Sequence, residues 1–66
     1  MEKKKAIEAM QSGSKVTHRL FLPDEWIKTN EKGQILFEDG NAVSSEVFWS
    51  HRQGKEWETG WSIYFE

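Results

Sequence analysis

The sequence predicts a single α+β domain over residues 1–66, in which a short N-terminal helix packs on a small, mainly antiparallel sheet of about four strands. A second short helix is expected before the last strand. Three observations predict this fold: an apolar stripe at helical spacing near the N-terminus, alternating segments separated by turn residues, and a serine-capped aromatic segment before a final alternating one.

The first helix is expected over residues 2–11. Ala6, Ile7 and Met10 are spaced so that they fall on one helical face. Gly13 follows at the position where a left-handed residue commonly ends a helix. We therefore expect a short amphipathic helix whose apolar face packs on the sheet.

Three extended segments separated by turn residues follow the helix. In the first, Val16, His18 and Leu20 alternate with polar residues and therefore share one face. In the second, Trp26 and Ile27 are adjacent, so one of the two must point away from the main core. The predicted segments are 15–21, 25–29 and 34–38, separated by Pro23 and the hairpin turn at 30–33 and closed by the turn at 39–41.

A second helix is expected after these strands. Ser44 or Ser45 has the side chain of an N-cap, and the helix is predicted to run to about Gln53, with Gly54 at its end. Aromatic residues on two sides indicate that the helix contacts more than one layer. The two sides are Val47, Phe48 and His51, and Trp49 and Arg52.

The last segments are a polar turn and a strand. Residues 55–60 are expected to form the turn, and residues 61–65 the strand. Trp61, Ile63 and Phe65 alternate there, which favours a place in the sheet core.

Composition excludes several classes of protein and site. The chain has no cysteine, which excludes disulfides and thiolate metal sites, and His18 and His51 are too few and too far apart in sequence for a zinc signature. A net charge of −2 without a basic stripe argues against a nucleic-acid polymer as partner. No apolar run approaches the ~20 residues of a membrane span, and none follows the charged residues 2–5, so we expect neither a span nor a signal peptide.

Catalytic motifs are also missing from the sequence. The acidic pairs at residues 24–25 and 38–39 are typical of solvated turns, and no nucleophile–base motif or phosphate-binding glycine loop is present. We therefore expect no enzymatic activity, no metal site and no cofactor.

Large aromatic residues and cations are interleaved in the chain. Flat rings beside guanidinium or imidazole groups suit a ligand that has a π-face and negative charge, such as a nucleotide. The same rings suit a core or a subunit interface, and the residues alone leave these alternatives open. The candidate ligand-binding residues are Trp26, Trp49 and Trp57 for stacking and Arg19, His51 and Arg52 for phosphate, because arginine can grip phosphate bidentately.

Four short motifs occur in a characteristic order. They are residues 6–10 (Ala-Ile-Glu-Ala-Met), residues 13–19 (Gly-Ser-Lys-Val-Thr-His-Arg), Trp26-Ile27, and residues 61–63 (Trp-Ser-Ile). This order resembles a family of very small phage proteins that includes the second type of Thoeris anti-defence protein. Ser14 stands where that family commonly has lysine.

The resemblance implies a function as well as a fold. Members of that family bind cyclic nucleotide immune signals without cleaving them, and they form homo-oligomers with ligand pockets at subunit contacts. It therefore implies a phage anti-defence protein of the host cytoplasm that sequesters a cyclic dinucleotide or a signal of the cyclic ADP-ribose type. Two alternatives remain: an inhibitor that binds a host defence protein, since Trp and Arg are enriched in binding hot spots, and a component of the phage particle.

Overall fold

Short antiparallel strands form one five-stranded sheet with both α-helices on one of its faces. The computed structural model describes residues 1–65. Along the sheet the strands lie in the order β4-β3-β2-β1-β5. The elements are α1 (Lys3–Gln11), β1 (Val16–His18), β2 (Ile27–Thr29), β3 (Ile35–Phe37), β4 (Ala42–Val43), α2 (Ser45–Ser50), a 3-10 helix (Lys55–Trp57) and β5 (Trp61–Ile63).

The predicted α+β class is confirmed, with one strand more than expected. The additional strand is β4, which pairs with β3 across a turn in which Gly40 has a positive φ of 92°. The Asp39 side chain stabilises this turn by accepting hydrogen bonds from the backbone and side-chain amides of Asn41. A strand of two residues is too short to show alternation, so the sequence pattern gave no signal for it.

Helix α1 forms as the apolar stripe predicts. Ala6 and Met10 are fully buried against the sheet. The helix ends where Gly13 adopts a φ of 97°, and the Gly13 N–H donates to the carbonyl of Met10. The left-handed residue thus satisfies a terminal carbonyl of the helix, as expected for a glycine after a helix end.

Strand β1 is shorter than the predicted segment 15–21 because His18 turns the chain. The Leu20 N–H donates to His18 Nδ1, and the Phe21 N–H donates to the His18 carbonyl. Leu20 is therefore 57% exposed instead of sharing the buried face of Val16 and His18. The sequence interpretation of Leu20 as part of that face was wrong.

Helix α2 begins as predicted and ends early. Ser44 is the N-cap, and its hydroxyl accepts a hydrogen bond from the Val47 N–H at 3.1 Å. The helix ends at Ser50 rather than near Gln53, and only Phe48 of the predicted apolar side is buried. Val47 is 50% exposed and His51 is exposed, because the short helix packs on the core through Phe48 and Trp49.

The C-terminal segment differs from the prediction at both ends. Residues 55–57 form a 3-10 turn within the expected polar loop, and β5 ends at Ile63 rather than residue 65. Trp61 is buried and Ile63 half-buried, but Phe65 is 84% exposed. Because β1 begins at Val16, opposite Ile63, Phe65 lies beyond the end of the sheet.

The register divides the sheet side chains between two faces. Val16 lies opposite both Ile27 and Ile63, and these side chains point towards the helices. Thr17 lies opposite Ser62, and Lys28 opposite Leu36, on the other face. Neither α1 nor α2 lies on that other face, which we call the open face. None of the helices in residues 1–65 is long and apolar enough to cross a membrane.

Candidate ligand-binding surface

The candidate residues named from the sequence are distributed over two separate regions. Trp49, Arg52 and Trp57 lie on the helix side of the sheet, where all three are half-buried. Trp26 and Arg19 belong to the open face, and His51 is exposed at the end of α2. The fold therefore does not assemble all six residues into one site.

Trp61 is the centre of an aromatic cluster on the helix side. The centroid of its ring lies 4.6 Å from that of His18 and 5.5 Å from that of Trp49. The Phe21 ring meets it edge-on, with the two centroids 5.7 Å apart. Its indole N–H donates to the Trp57 carbonyl at 2.7 Å. Trp49 and Trp57 each present one part of the ring to this cluster and the rest to solvent, so they are structural as well as accessible.

His18 is a buried structural histidine of this cluster. Its side chain is 3% exposed, with the Trp57 ring 4.5 Å away. Nε2 lies 2.7 Å from the Thr59 carbonyl and Nδ1 accepts the Leu20 N–H at 3.1 Å. The carbonyl requires a proton on Nε2 and the amide requires a lone pair on Nδ1, so both bonds together specify one neutral tautomer. His18 thereby connects the end of β1 to the β1–β2 loop through Leu20 and to the loop before β5 through Thr59.

Replacing His18 is expected to destabilise the fold. His18→Phe fills similar space but leaves the Thr59 carbonyl and the Leu20 N–H without partners, which lowers the free energy of unfolding by about 3 kcal/mol. Urea denaturation followed by circular dichroism measures this. The matched control is His51→Phe, at the exposed histidine, which we expect to change stability by less than about 0.5 kcal/mol. Equal midpoints for the two variants would contradict the structural role.

Arg52 is held between two aromatic rings. Its Cζ lies 4.0 Å from the centroid of Phe48 and 5.4 Å from that of Trp57, and Nη1 donates to the Phe48 carbonyl at 3.3 Å. Nε is buried without a hydrogen-bond partner in the described chain. Burial lowers the pKa of the Arg52 guanidinium below its ordinary value, while the charge of Glu25 acts in the opposite direction. Arg52 therefore fastens α2 to the 3-10 turn and has limited freedom to reach a phosphate.

Packing rather than charge is expected to dominate the contribution of Arg52 to stability. Arg52→Met keeps the apolar stem between the rings and removes a partly buried charge, so we expect a change within about 1 kcal/mol. Arg52→Ala removes the stem as well and is expected to cost about 2 kcal/mol. Thermal or urea unfolding of both variants checks this. Equal losses in the two variants would show that the charge itself is the stabilising element.

On the open face, Trp26 has an aromatic and a cationic neighbour. The ring of Tyr64 lies 6.3 Å away at an interplanar angle of 38°, and the ammonium of Lys15 lies 4.3 Å from the Trp26 centroid. The Thr17 hydroxyl donates to the Glu25 carbonyl at 2.7 Å and fixes the backbone just before Trp26. Trp26 remains half-buried, with ring surface available to solvent.

Further cations lie around Trp26 on the same face. Lys28 is two residues after Trp26, so the alternation of β2 places both side chains on the same face. Arg19 is two residues after Thr17 and lies on this face for the same reason. The Arg19 N–H donates to the Gly60 carbonyl at 3.0 Å, and a Cβ on Gly60 would meet the Arg19 side chain at 3.0 Å. Gly60, with a φ of 89°, therefore lets Arg19 lie across the start of β5. The face also carries a carboxylate, since the register of β2 and β3 continued by one residue beyond Ile27 and Phe37 places Glu38 opposite Trp26.

Sequence reasoning identified Trp26 and Arg19 but did not join them to Lys15, Lys28 and Tyr64. The signal was present in the alternation of residues 15–19, which places Lys15 and Arg19 on the same side as Thr17. What the sequence did not supply was the register, which sets β1 between β2 and β5. Trp26 and Tyr64 come together across β1 because β1 lies between β2 and β5.

Comparisons of the chain with protein-family models, with curated proteins and with solved structures found no match. The function is therefore inferred from the chemistry of the open face, together with the motif resemblance described above. That face combines exposed ring surface with Lys15, Arg19 and Lys28, the combination that suits an anionic ligand with planar bases.

Proposed function

We propose that this protein is a phage anti-defence protein that binds and sequesters a cyclic nucleotide immune signal in the host cytoplasm without cleaving it. The observation that carries the proposal is the setting of Trp26 on the open face, with Lys15 4.3 Å from its centroid and Tyr64 beside it. The motif order shared with the Thoeris anti-defence family supports the same conclusion.

The open face offers groups suited to both the base and the phosphate of such a ligand. A base stacks on the Trp26 indole, which contributes about 1–3 kcal/mol. Arg19 and Lys28 then hold phosphate by charge-assisted hydrogen bonds, each worth about 1.5–3 kcal/mol. One stacked base and two such contacts sum to about 4–9 kcal/mol, so nanomolar affinity, about −12 kcal/mol, requires further contacts. A homo-oligomer in which a second copy closes the face, as in the resembling family, completes the enclosure.

The groups that line the open face support binding without cleavage. The Thr17 hydroxyl donates to a backbone carbonyl and is not paired with a base that would activate it. Both histidines of the sequence lie elsewhere, His18 in the core and His51 at the end of α2. The lysine, arginine and aromatic side chains of the face offer hydrogen bonds and stacking surface to a phosphodiester.

Calorimetry combined with recovery of the ligand tests the proposal. The purified protein is titrated with cyclic dinucleotides and with cyclic ADP-ribose, and the ligand is then released by denaturation and analysed by chromatography. We expect at least one ligand to bind with a submicromolar Kd and to be recovered unchanged. Absence of heat with every ligand, or recovery of a cleaved product, would contradict the proposal.

A second candidate is inhibition of a host defence protein by direct binding. The specific observation that favours it is the β1–β2 loop, where Leu20 is 57% and Leu22 74% exposed beside Pro23. Exposed apolar residues of this size mark protein-binding sites more often than a random surface does. Under this alternative, one host protein is retained by the wild-type chain and lost with Leu20→Ser/Leu22→Ser, while nucleotide binding is absent.

A further inference from the structure

A cleft on the helix side of the sheet has no role in the proposal above. It lies where α1 and α2 meet the β2–β3 hairpin and has a volume of about 340 Å³. Met10, Ile35 and Trp49 supply apolar lining, and Met10 and Ile35 are core residues. The size is at the small end of the range of small-molecule sites, about 300–1,000 Å³.

The polar side chains that line the cleft are uncharged. Gln11 from α1, Thr29 from β2 and Ser45 from α2 line it, and no charged side chain does. None of these three side chains makes a hydrogen bond within the described residues. They converge from three different elements, so a ligand between the helices meets a donor or acceptor on more than one side.

The lining selects among classes of ligand. An anion is disfavoured because no cation lines the cleft; Lys3, whose ammonium lies 4.7 Å from the Trp49 centroid, is not part of the lining and pairs with Glu58 at 4.0 Å. An acyl chain is disfavoured because it would bury three polar side chains without partners. A flat heterocycle with polar edges suits both the apolar lining and the hydrogen-bonding groups.

We propose that this cleft binds an uncharged planar heterocycle of the nucleobase or nucleoside class. Trp49 contacts the ring, while Gln11, Thr29 and Ser45 hydrogen-bond to its edge. The cleft is independent of the open face, because Thr29 and Ile35 point to the helix side whereas their neighbours Lys28 and Leu36 point to the other. A ligand here is therefore a second site and not another part of the phosphate-binding surface.

Methionine methyl NMR provides a direct test. The chain has two methionines, and only Met10 lines the cleft, so Met1 is an internal control. Protein labelled with 13C at the methionine methyl groups is titrated with adenosine, which is uncharged. We expect a saturable shift of the Met10 signal with Met1 unchanged. Cyclohexanol, which is uncharged and more apolar than adenosine but is not planar, is expected to bind at least tenfold more weakly.

Variants separate specific binding from simple filling of an apolar cleft. Thr29→Val removes a hydroxyl at constant shape and is expected to weaken adenosine binding about fivefold, as is Ser45→Ala. Ser62→Ala removes a hydroxyl from the open face and is expected to leave adenosine binding unchanged. The inference is overturned if Met10 does not shift, if cyclohexanol binds as well as adenosine, or if both cleft variants bind like the wild type. None of these results bears on cyclic nucleotide binding at the open face.

Discussion

Trp61→Ala is expected to remove a large part of the protein's free energy of unfolding. Trp61 is 2% exposed and contacts the rings of His18, Phe21, Trp49 and Trp57. Truncating a buried tryptophan costs about 3–5 kcal/mol. A chain of 66 residues has a total stability on the order of 3–10 kcal/mol, so the loss consumes much or all of it. Circular dichroism and urea denaturation measure the effect.

The control for this prediction is a second tryptophan in a different setting. Trp26 lies on the open face and is half-buried, so Trp26→Ala is expected to cost about 1 kcal/mol and to leave the protein folded. Trp61→Phe is expected to fall between the two, because it keeps a ring but leaves the Trp57 carbonyl without its indole donor. Equal stability of the two alanine variants would mean that Trp61 is not the centre of the core.

Reversing two charges on the open face is expected to abolish tight nucleotide binding. Arg19→Glu/Lys28→Glu replaces two phosphate donors with carboxylates, and affinity is expected to fall by at least about 100-fold, since each charge-assisted contact is worth about 1.5–3 kcal/mol. Calorimetry with the best cyclic nucleotide of the panel measures the loss. Unchanged circular dichroism establishes that the variant is folded.

A matched variant separates local contacts from net charge. Lys4→Glu/Lys55→Glu makes the same change in net charge at two exposed lysines, on α1 and on the 3-10 turn. We expect it to lower the affinity by less than about threefold, because neither lysine is on the open face and salt screens the interaction of exposed charges over a Debye length of about 8 Å. Comparable losses in both double variants would place the phosphate elsewhere.

Local signals in the sequence determined much of the fold. The stripe that contains Ala6 and Met10 predicted α1, and the Ser44 hydroxyl predicted where α2 begins. These predictions succeeded because helix periodicity and capping depend on residues a few positions apart. The end of β1 was missed because it depends on His18, whose ring accepts a hydrogen bond from the Leu20 N–H and so turns the chain.

The candidate site was less predictable because it depends on contacts between distant segments. The adjacency of Trp26 and Ile27 indicated that one side chain leaves the core, and Ile27 is the buried one. Nothing local indicated that Arg52 lies between Phe48 and Trp57 rather than in solvent. The pairing of Trp26 with Tyr64 likewise requires the sheet order, in which β1 separates β2 from β5.

The open face also reconciles a weakly acidic chain with an anionic ligand. The net charge of −2 is a property of the whole sequence, whereas binding depends on the potential at the surface that meets the ligand. Lys15, Arg19 and Lys28 share one side of the sheet with Glu38, and these four residues together carry a charge of about +2 at neutral pH. The exposed carboxylates of Glu8 and Glu46 lie on the helices of the other side. A weakly acidic net charge is thus compatible with a small phosphorylated ligand at this face.

Mapping the ligand onto the backbone by NMR tests the central claim most directly. Uniformly 15N-labelled protein is titrated with the cyclic nucleotide that binds best in calorimetry, and the amide shifts are assigned to residues. The proposal predicts that the largest shifts occur on the open face, at Thr17, Lys28 and Ser62 and at the Trp26 indole N–H. Shifts confined to α1, α2 and the Trp49 and Trp57 indoles, with the open face unchanged, would contradict it.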